Sequence, residues 1–484
     1  MNHQEKLAAA NAAENKMAAA LNLRWYPKYH LAARGGWVND PNGFCYALGK
    51  YHLFYQHYPY ATAWGPMHWG HAVSEDLVHW QHLPEALAPS EEYDRDGCFS
   101  GSAIEHEGKL WLLYTGHVFT AEFGDDTHLR QVQCLAVSED GVNFKKLGVV
   151  IEPPEGFAHF RDPKVDRLPD GSFYLVLGAR TPDDEGRILL YKSSDLQHWC
   201  GPEILLSSKD NDPACFMYEC PDLFKAGDKY VVATSPMGLK PEGIERNNPS
   251  ITQWMYGTFD GSTFKKESEF TEIDAGLSFY ATQSCEAPDG RRILSAWMNM
   301  WHVSWPEDQD GWNGAFTLPR EVTFENGHLC QRPVREVAAL VTSTEEVADF
   351  TLSNASRTMC ADAQALRLQL TLDPEKAEQS GISLGTSAVL SVDRQHGELT
   401  LTRIDKGLYL PRSVKLDPKA KVSLDVFIDR SSIEVFVNDG QQVITTRVFP
   451  QGDRELVAFA SNGEAAFTAV TISQLGSSID RLRF

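Results

Sequence analysis

The stretch SEDLVHW, Ser74–Trp80, recurs as SEDGVNF (Ser138–Phe144), SSDLQHW (Ser193–Trp199) and TFDGSTF (Thr258–Phe264). Each copy sets an aspartate four residues before an aromatic ring: Asp76, Asp140, Asp195 and Asp260 precede Trp80, Phe144, Trp199 and Phe264. The aspartates stand 64, 55 and 65 residues apart. A period of about 60 residues is too long for a helical solenoid and suits a four-stranded blade. The repeated stretch then reads as the turn between a blade's two outer strands. Short aromatic runs between Gly, Asp and Pro, such as YHLFYQ (Tyr51–Gln56) and KYVVATS (Lys229–Ser235), read as strands. Arg292–Met298 reads as the second strand of a fifth copy, and the blade pattern stops after TLPRE, Thr317–Glu321. Five blades around an axis make a β-propeller, which leaves only short protected edges. A plain β-sandwich with chance aspartates is the alternative, and four in-phase pairs disfavour it.

A chain of 484 residues exceeds one core, so two domains are expected. The expected division is a helical segment at 1–22, a propeller at 23–338 and a β-sandwich at 339–484. The Ala-rich start carries Glu5, Lys6, Glu14 and Lys16, which predicts a surface helix over about residues 3–21 and no signal-peptide core. Gln331–Leu340 reads as a short connector. Beyond it, Val422, Leu424, Val426 and Ile428 alternate, then Ile433, Val435 and Val437 after the turn Asp429–Ser432, with Asn438–Gly440 as a further hairpin turn. Such alternation implies stacked antiparallel sheets, a structural module with no evident acid–base cluster.

The net charge of −22, with no basic cluster, argues against nucleic acid and anionic membranes as partners. Nine scattered cysteines, with no CxxC, suit free thiols in a reducing cytoplasm. Either a monomer or a homodimer is compatible with this composition.

Acidic residues lie ten or eleven residues before three second strands: Asp40 in WVNDPNG, Asp162 in RDP and Glu219 in YECPD. Residues at one phase of a circular repeat face one place, and converging carboxyls are the raw material of glycoside cleavage. Each motif also has a plainer reading, as a surface turn, a local ion pair or a solvated loop acid. Arg161 is expected to keep Asp162 ionised. The apolar flanks of Glu219 are expected to favour its protonated form, and Asp222 is a rival acid three residues on. Phe99 and Ser100 hold the same phase in the second blade, Tyr280 and Gln283 in the fifth. Trp64 belongs to WGPMHWGH, whose His68 and His71 have strand spacing and no carboxylate or Cys at ligand distance, so no metal is expected.

Together WVNDPNG, FYQ (Phe54–Gln56), FSGSA (Phe99–Ala103), RDP, ECP and DRSSIEVF (Asp429–Phe436) stand in an order that resembles glycoside hydrolase family 32, over roughly residues 25–484. The resemblance implies an all-β fold, a five-bladed propeller followed by a sandwich, and a β-fructofuranosidase of the bacterial intracellular type that needs no cofactor. It implies Asp40 as nucleophile, Glu219 as acid/base and Asp162 as transition-state stabiliser. It implies that Asn39, Gln56, Trp64, Phe99, Ser100, Arg161 and Trp297 line the sugar pocket, which Tyr280 joins by its phase in the fifth blade. Ser278 departs from the pattern where relatives carry an acid, so the loss of a rim contact is expected there. The substrate is then a small sugar, either sucrose, sucrose 6-phosphate or a related fructoside. An inverting arabinan-type hydrolase and a non-catalytic sugar-binding propeller are the rival readings.

Overall fold

The computed structural model describes residues 1–374, 376–417 and 420–478, so the last six residues of the expected second domain lie outside the described residues. Five antiparallel sheets follow one another along the chain, and each opens on its innermost strand: Gly36–Ala47, Gly97–His106, Phe160–Arg167, Met217–Ala226 and Tyr280–Glu286. These five strands pack side by side in a closed ring, blade five against blade one. The strand Trp312–Asn313 closes the ring by pairing in parallel with Gly36 and Trp37 of blade one. Because neighbouring blades cover both faces, the inner strands are buried almost continuously and do not alternate.

The repeated aspartate has a single job. Asp140 Oδ1 accepts from the N–H groups of Val142 and Asn143, at 2.9 and 2.8 Å. Asp76, Asp195 and Asp260 accept from the equivalent pairs two and three residues on. Each carboxylate thereby nucleates the turn between the third and fourth strands. Blade five differs from the sequence expectation. It continues past Glu321 through Arg320–Glu325 and His328–Pro333, so the first three residues of the supposed connector, Gln331–Pro333, belong to its outer strand. Its outer turn is built on Asn326 and Gly327, both at positive φ (52° and 82°), and needs no aspartate. Only Arg335–Leu340 is a helical turn.

The N-terminal helix spans His3–Ala18, three residues shorter than expected, and opens on a capping box between Asn2 and Glu5. It lies on blade one, where Asn11 accepts from the Glu85 N–H at 3.0 Å. No helix among the described residues is long and apolar enough to cross a membrane.

Beyond Leu340 the strands form an eleven-stranded assembly around the twenty-residue strand Leu456–Leu475. Its first half pairs with Gln379–Leu384 and its second with Leu366–Asp373, so one bent strand serves both layers. The predicted alternating residues, Val422 to Ile428 and Ile433 to Val437, all point into the core between them. Their opposite face is buried too, because Phe427, Phe436 and Val443 pack against the propeller. Contact there is backbone to backbone: a Cβ at Gly276 would lie 1.9 Å from the Thr445 carbonyl.

Candidate active site

All five inner strands carry a β-bulge at the same phase. Val38 and Pro41 oppose His57 and Tyr55, so Asn39 and Asp40 face a single residue. The same irregularity falls at Ser100, at Asp162–Pro163, at Cys220–Pro221 and at Ala281–Thr282. A bulge bends its strand and re-aims side chains. In blades three to five its first residue has positive φ: Asp162 66°, Cys220 46° and Ala281 53°. Proline follows in blades one, three and four, where no ladder N–H is needed.

The bulges bring the three predicted acids together. Asp40 Oδ2 accepts from Ser100 Oγ at 2.7 Å, and Oδ1 from Asn39 Nδ2 at 3.1 Å. The Cys220 thiol lies 3.5 Å from Asp40 Oδ2 and 3.7 Å from Asp162 Oδ2, so two carboxyls share one sulfur. Asp162 Oδ2 also accepts from the Cys220 N–H at 2.9 Å. Glu219 Oε1 receives Arg161 Nη2 at 2.8 Å, and Oε2 receives the Tyr280 hydroxyl at 2.5 Å. Asp40 keeps 9% of its surface and the Glu219 side chain 19%, so solvent reaches the cluster.

The charge arrangement differs from the sequence expectation. Arg161 stands closest to Glu219 and only 3.9 Å, through Nε, from Asp162. Burial pushes the Asp162 carboxyl up to about 7; Arg161 opposes this, while Glu219 and Asp40 add to it. Burial also raises Asp40, against hydrogen bonds from Ser100 and Asn39. The surroundings of Glu219 are a cation and a hydroxyl rather than apolar. The rival Asp222 accepts from the Ser284 N–H at 2.7 Å and faces Lys164 at 3.6 Å.

The remaining predicted residues fall into two groups. Trp64 and Phe99 are half-buried with ring centroids 6.0 Å apart, and Phe99 stacks on His117 at 4.0 Å. Gln56 and Trp297 are buried: Gln56 gives its amide to the Cys98 carbonyl at 2.9 Å, and Trp297 packs against Trp37 and Trp301 in one cluster with Tyr280 and Cys220. Gln283 ties blade five to blade two through the Gly101 carbonyl at 2.7 Å. Ser278 is not a rim residue, since it is buried and accepts from the Arg447 N–H at 3.0 Å. Sequence reasoning passed over Cys220 and Thr115, whose hydroxyl accepts from the Asp162 N–H at 3.0 Å. Cys220 was flagged only by adjacency to Glu219, and Thr115 by nothing.

Three carboxyls gathered at the axis of a five-bladed propeller define a glycoside hydrolase. Residues 30–333 match the glycosyl hydrolases family 32 N-terminal domain and residues 336–474 the family 32 C terminal domain. The chain is 44% identical to a raffinose invertase of Escherichia coli, over 98% of this chain and all of that protein. It is 43% identical to a sucrose-6-phosphate hydrolase of Escherichia coli, again over 98% and 100%. Among solved structures it resembles a mutant Bombyx mori GH32 beta-fructofuranosidase in complex with sucrose, at 35% identity and a TM-score of 0.86, covering 99% of this chain and 100% of that one. The chain belongs to glycoside hydrolase family 32.

Proposed function

We propose that the protein hydrolyses sucrose and related β-fructofuranosides with retention of configuration. The convergence of the three carboxyls carries this reading: Cys220 joins Asp40 to Asp162, and Arg161 joins Asp162 to Glu219. Asp40 attacks the fructosyl anomeric carbon as Glu219 gives its proton to the departing glucosyl oxygen, leaving a fructosyl ester on Asp40. Glu219, now a base, takes a proton from water, which releases fructose and restores both carboxyls. Asp162 accepts hydrogen bonds from the sugar hydroxyls. Burial raises the Asp40 carboxyl and carries Asp162 up to about 7. Asn39, Ser100 and Tyr280 hold the carboxyls, Trp64 and Phe99 form an aromatic wall, and Gln56 and Trp297 position their neighbours. Residues 23–338 carry the chemistry and 339–484 support it. All nine cysteines are unpaired, which supports a reducing, intracellular setting.

The test is turnover of sucrose by the wild type and by Glu219→Ala. We expect glucose and fructose from the former, and from the latter a loss of about 10²–10⁴-fold in kcat with sucrose still bound. Near-normal turnover by Glu219→Ala would reject the assignment.

A further inference from the structure

The aromatic wall does not end at Trp64. The loop 120–128 joins the second and third strands of blade two and carries TAEFGDDTH. Phe123 at its tip is 57% exposed. The ring is nevertheless held. Its centroid lies 6.0 Å from Trp64 and 5.1 Å from Phe119, and Phe119 meets His117 edge-on at 4.4 Å. With the Phe99–His117 stack this closes a circle of five rings. The circle starts beside Ser100, which bonds Asp40, and ends in solvent.

The same loop sets the charge of the mouth. Glu122 precedes Phe123, Asp126 follows it by three residues, and both are exposed. Asp125 is occupied inside the loop, accepting from the Thr127 N–H at 2.9 Å and pairing with His128 at 2.8 Å. Cations on the adjoining strands are already matched: Arg130 with Glu152 at 2.8 Å, and Arg180 with Asp184 at 2.7 Å. A phosphate needs Arg, Lys or backbone donors, and this loop offers carboxylates.

We propose that Phe123 and Trp64 form the platform for the leaving-group sugar, and that the mouth selects an uncharged, extended saccharide over one bearing a 6-phosphate. The proposal rests on the fructosidase reading above. The hydroxyl-poor face of a pyranose lies on an aromatic ring, whereas a phosphate on C6 of that sugar would meet the carboxylates of this loop, Glu122 and Asp126.

The experiment measures kcat/KM for sucrose, raffinose, sucrose 6-phosphate and methyl β-fructofuranoside. The wild type should prefer sucrose and raffinose to sucrose 6-phosphate by about tenfold or more, with the gap narrowing at high salt. Phe123→Ala should lose about tenfold on raffinose, chiefly in KM, and at least fivefold less on methyl β-fructofuranoside, while Phe123→Trp restores raffinose. A double variant, Glu122→Gln with Asp126→Asn, should raise the sucrose 6-phosphate to sucrose ratio severalfold. Equal loss on all substrates, with a lowered Tm, would make Phe123 a loop fastener and overturn the platform. A wild-type preference for sucrose 6-phosphate would overturn the charge selection. Failure to cleave any of the four would strike the fructosidase reading itself, a result separable from both.

Discussion

Three carboxyls in one small volume cannot all be ionised cheaply, and that cost governs the site's behaviour with pH. Asp162 titrates near 7, well above an exposed aspartate. If its carboxylate must face the sugar, kcat/KM should fall as the pH drops below about 7, and Asp162→Asn should abolish that limb along with most activity. The stability sign is opposite. A raised folded pKa means the unfolded chain ionises first, so the folded state loses stability as pH rises from about 4 through 7. Asp162→Asn should therefore stabilise the fold by about 4 kcal/mol at pH 8 and very little at pH 4, read from denaturant unfolding at both. At this scale the sequence named the three acids as neighbours and set Arg161 beside Asp162, 3.9 Å away, but missed its closer contact with Glu219 at 2.8 Å. Adjacency suggested Asp162, yet positive φ turns that carboxyl out of line and leaves the guanidinium reaching across to blade four.

At the scale of the element, two devices recur: the aspartate turn outside and the bulge inside. The turn was legible because it needs one residue type at one place. It is also testable: Asp140→Ala removes two backbone hydrogen bonds and should cost about 1 kcal/mol, measured as a lowered denaturation midpoint with unchanged kcat. Blade five escaped this reading because an Asn-Gly turn at positive φ does the same work with different residues. The bulges were not legible. A register shift has no composition of its own, and only Pro41, Pro163 and Pro221 hint at it, each cheap where the ladder is already broken.

The whole molecule is fastened by charges that no local pattern announced. Arg320 of blade five lies between Asp274 at 3.0 Å and Glu434 of the sandwich at 2.5 Å. His30 bridges Asp429 at 2.9 Å and Glu434 at 2.7 Å, and all these side chains are fully buried. So DRSSIEVF, read from sequence as a turn and a strand, is the joint between the two parts. Removing one partner of a buried pair is costly, so Arg320→Met should destabilise the protein by about 3–5 kcal/mol and lower one shared calorimetric transition. Burial opposes a charge on His30, but hydrogen bonds to Asp429 and Glu434 outweigh it and carry its pKa to about 9. With the folded value raised, this stabilisation is full below about 6.5 and lost as the pH climbs through 9. Tm should fall over that alkaline window, and His30→Gln should flatten the fall.

The central claim is a covalent bond between one residue and fructose. It is met most directly by mass spectrometry of the Glu219→Ala protein quenched during reaction with β-fructosyl fluoride, whose leaving group needs no proton. We predict a single fructosyl adduct on the peptide containing Asp40, absent in Asp40→Ala. An adduct on another carboxyl, or sustained turnover with no adduct and release of the opposite anomer, would contradict it.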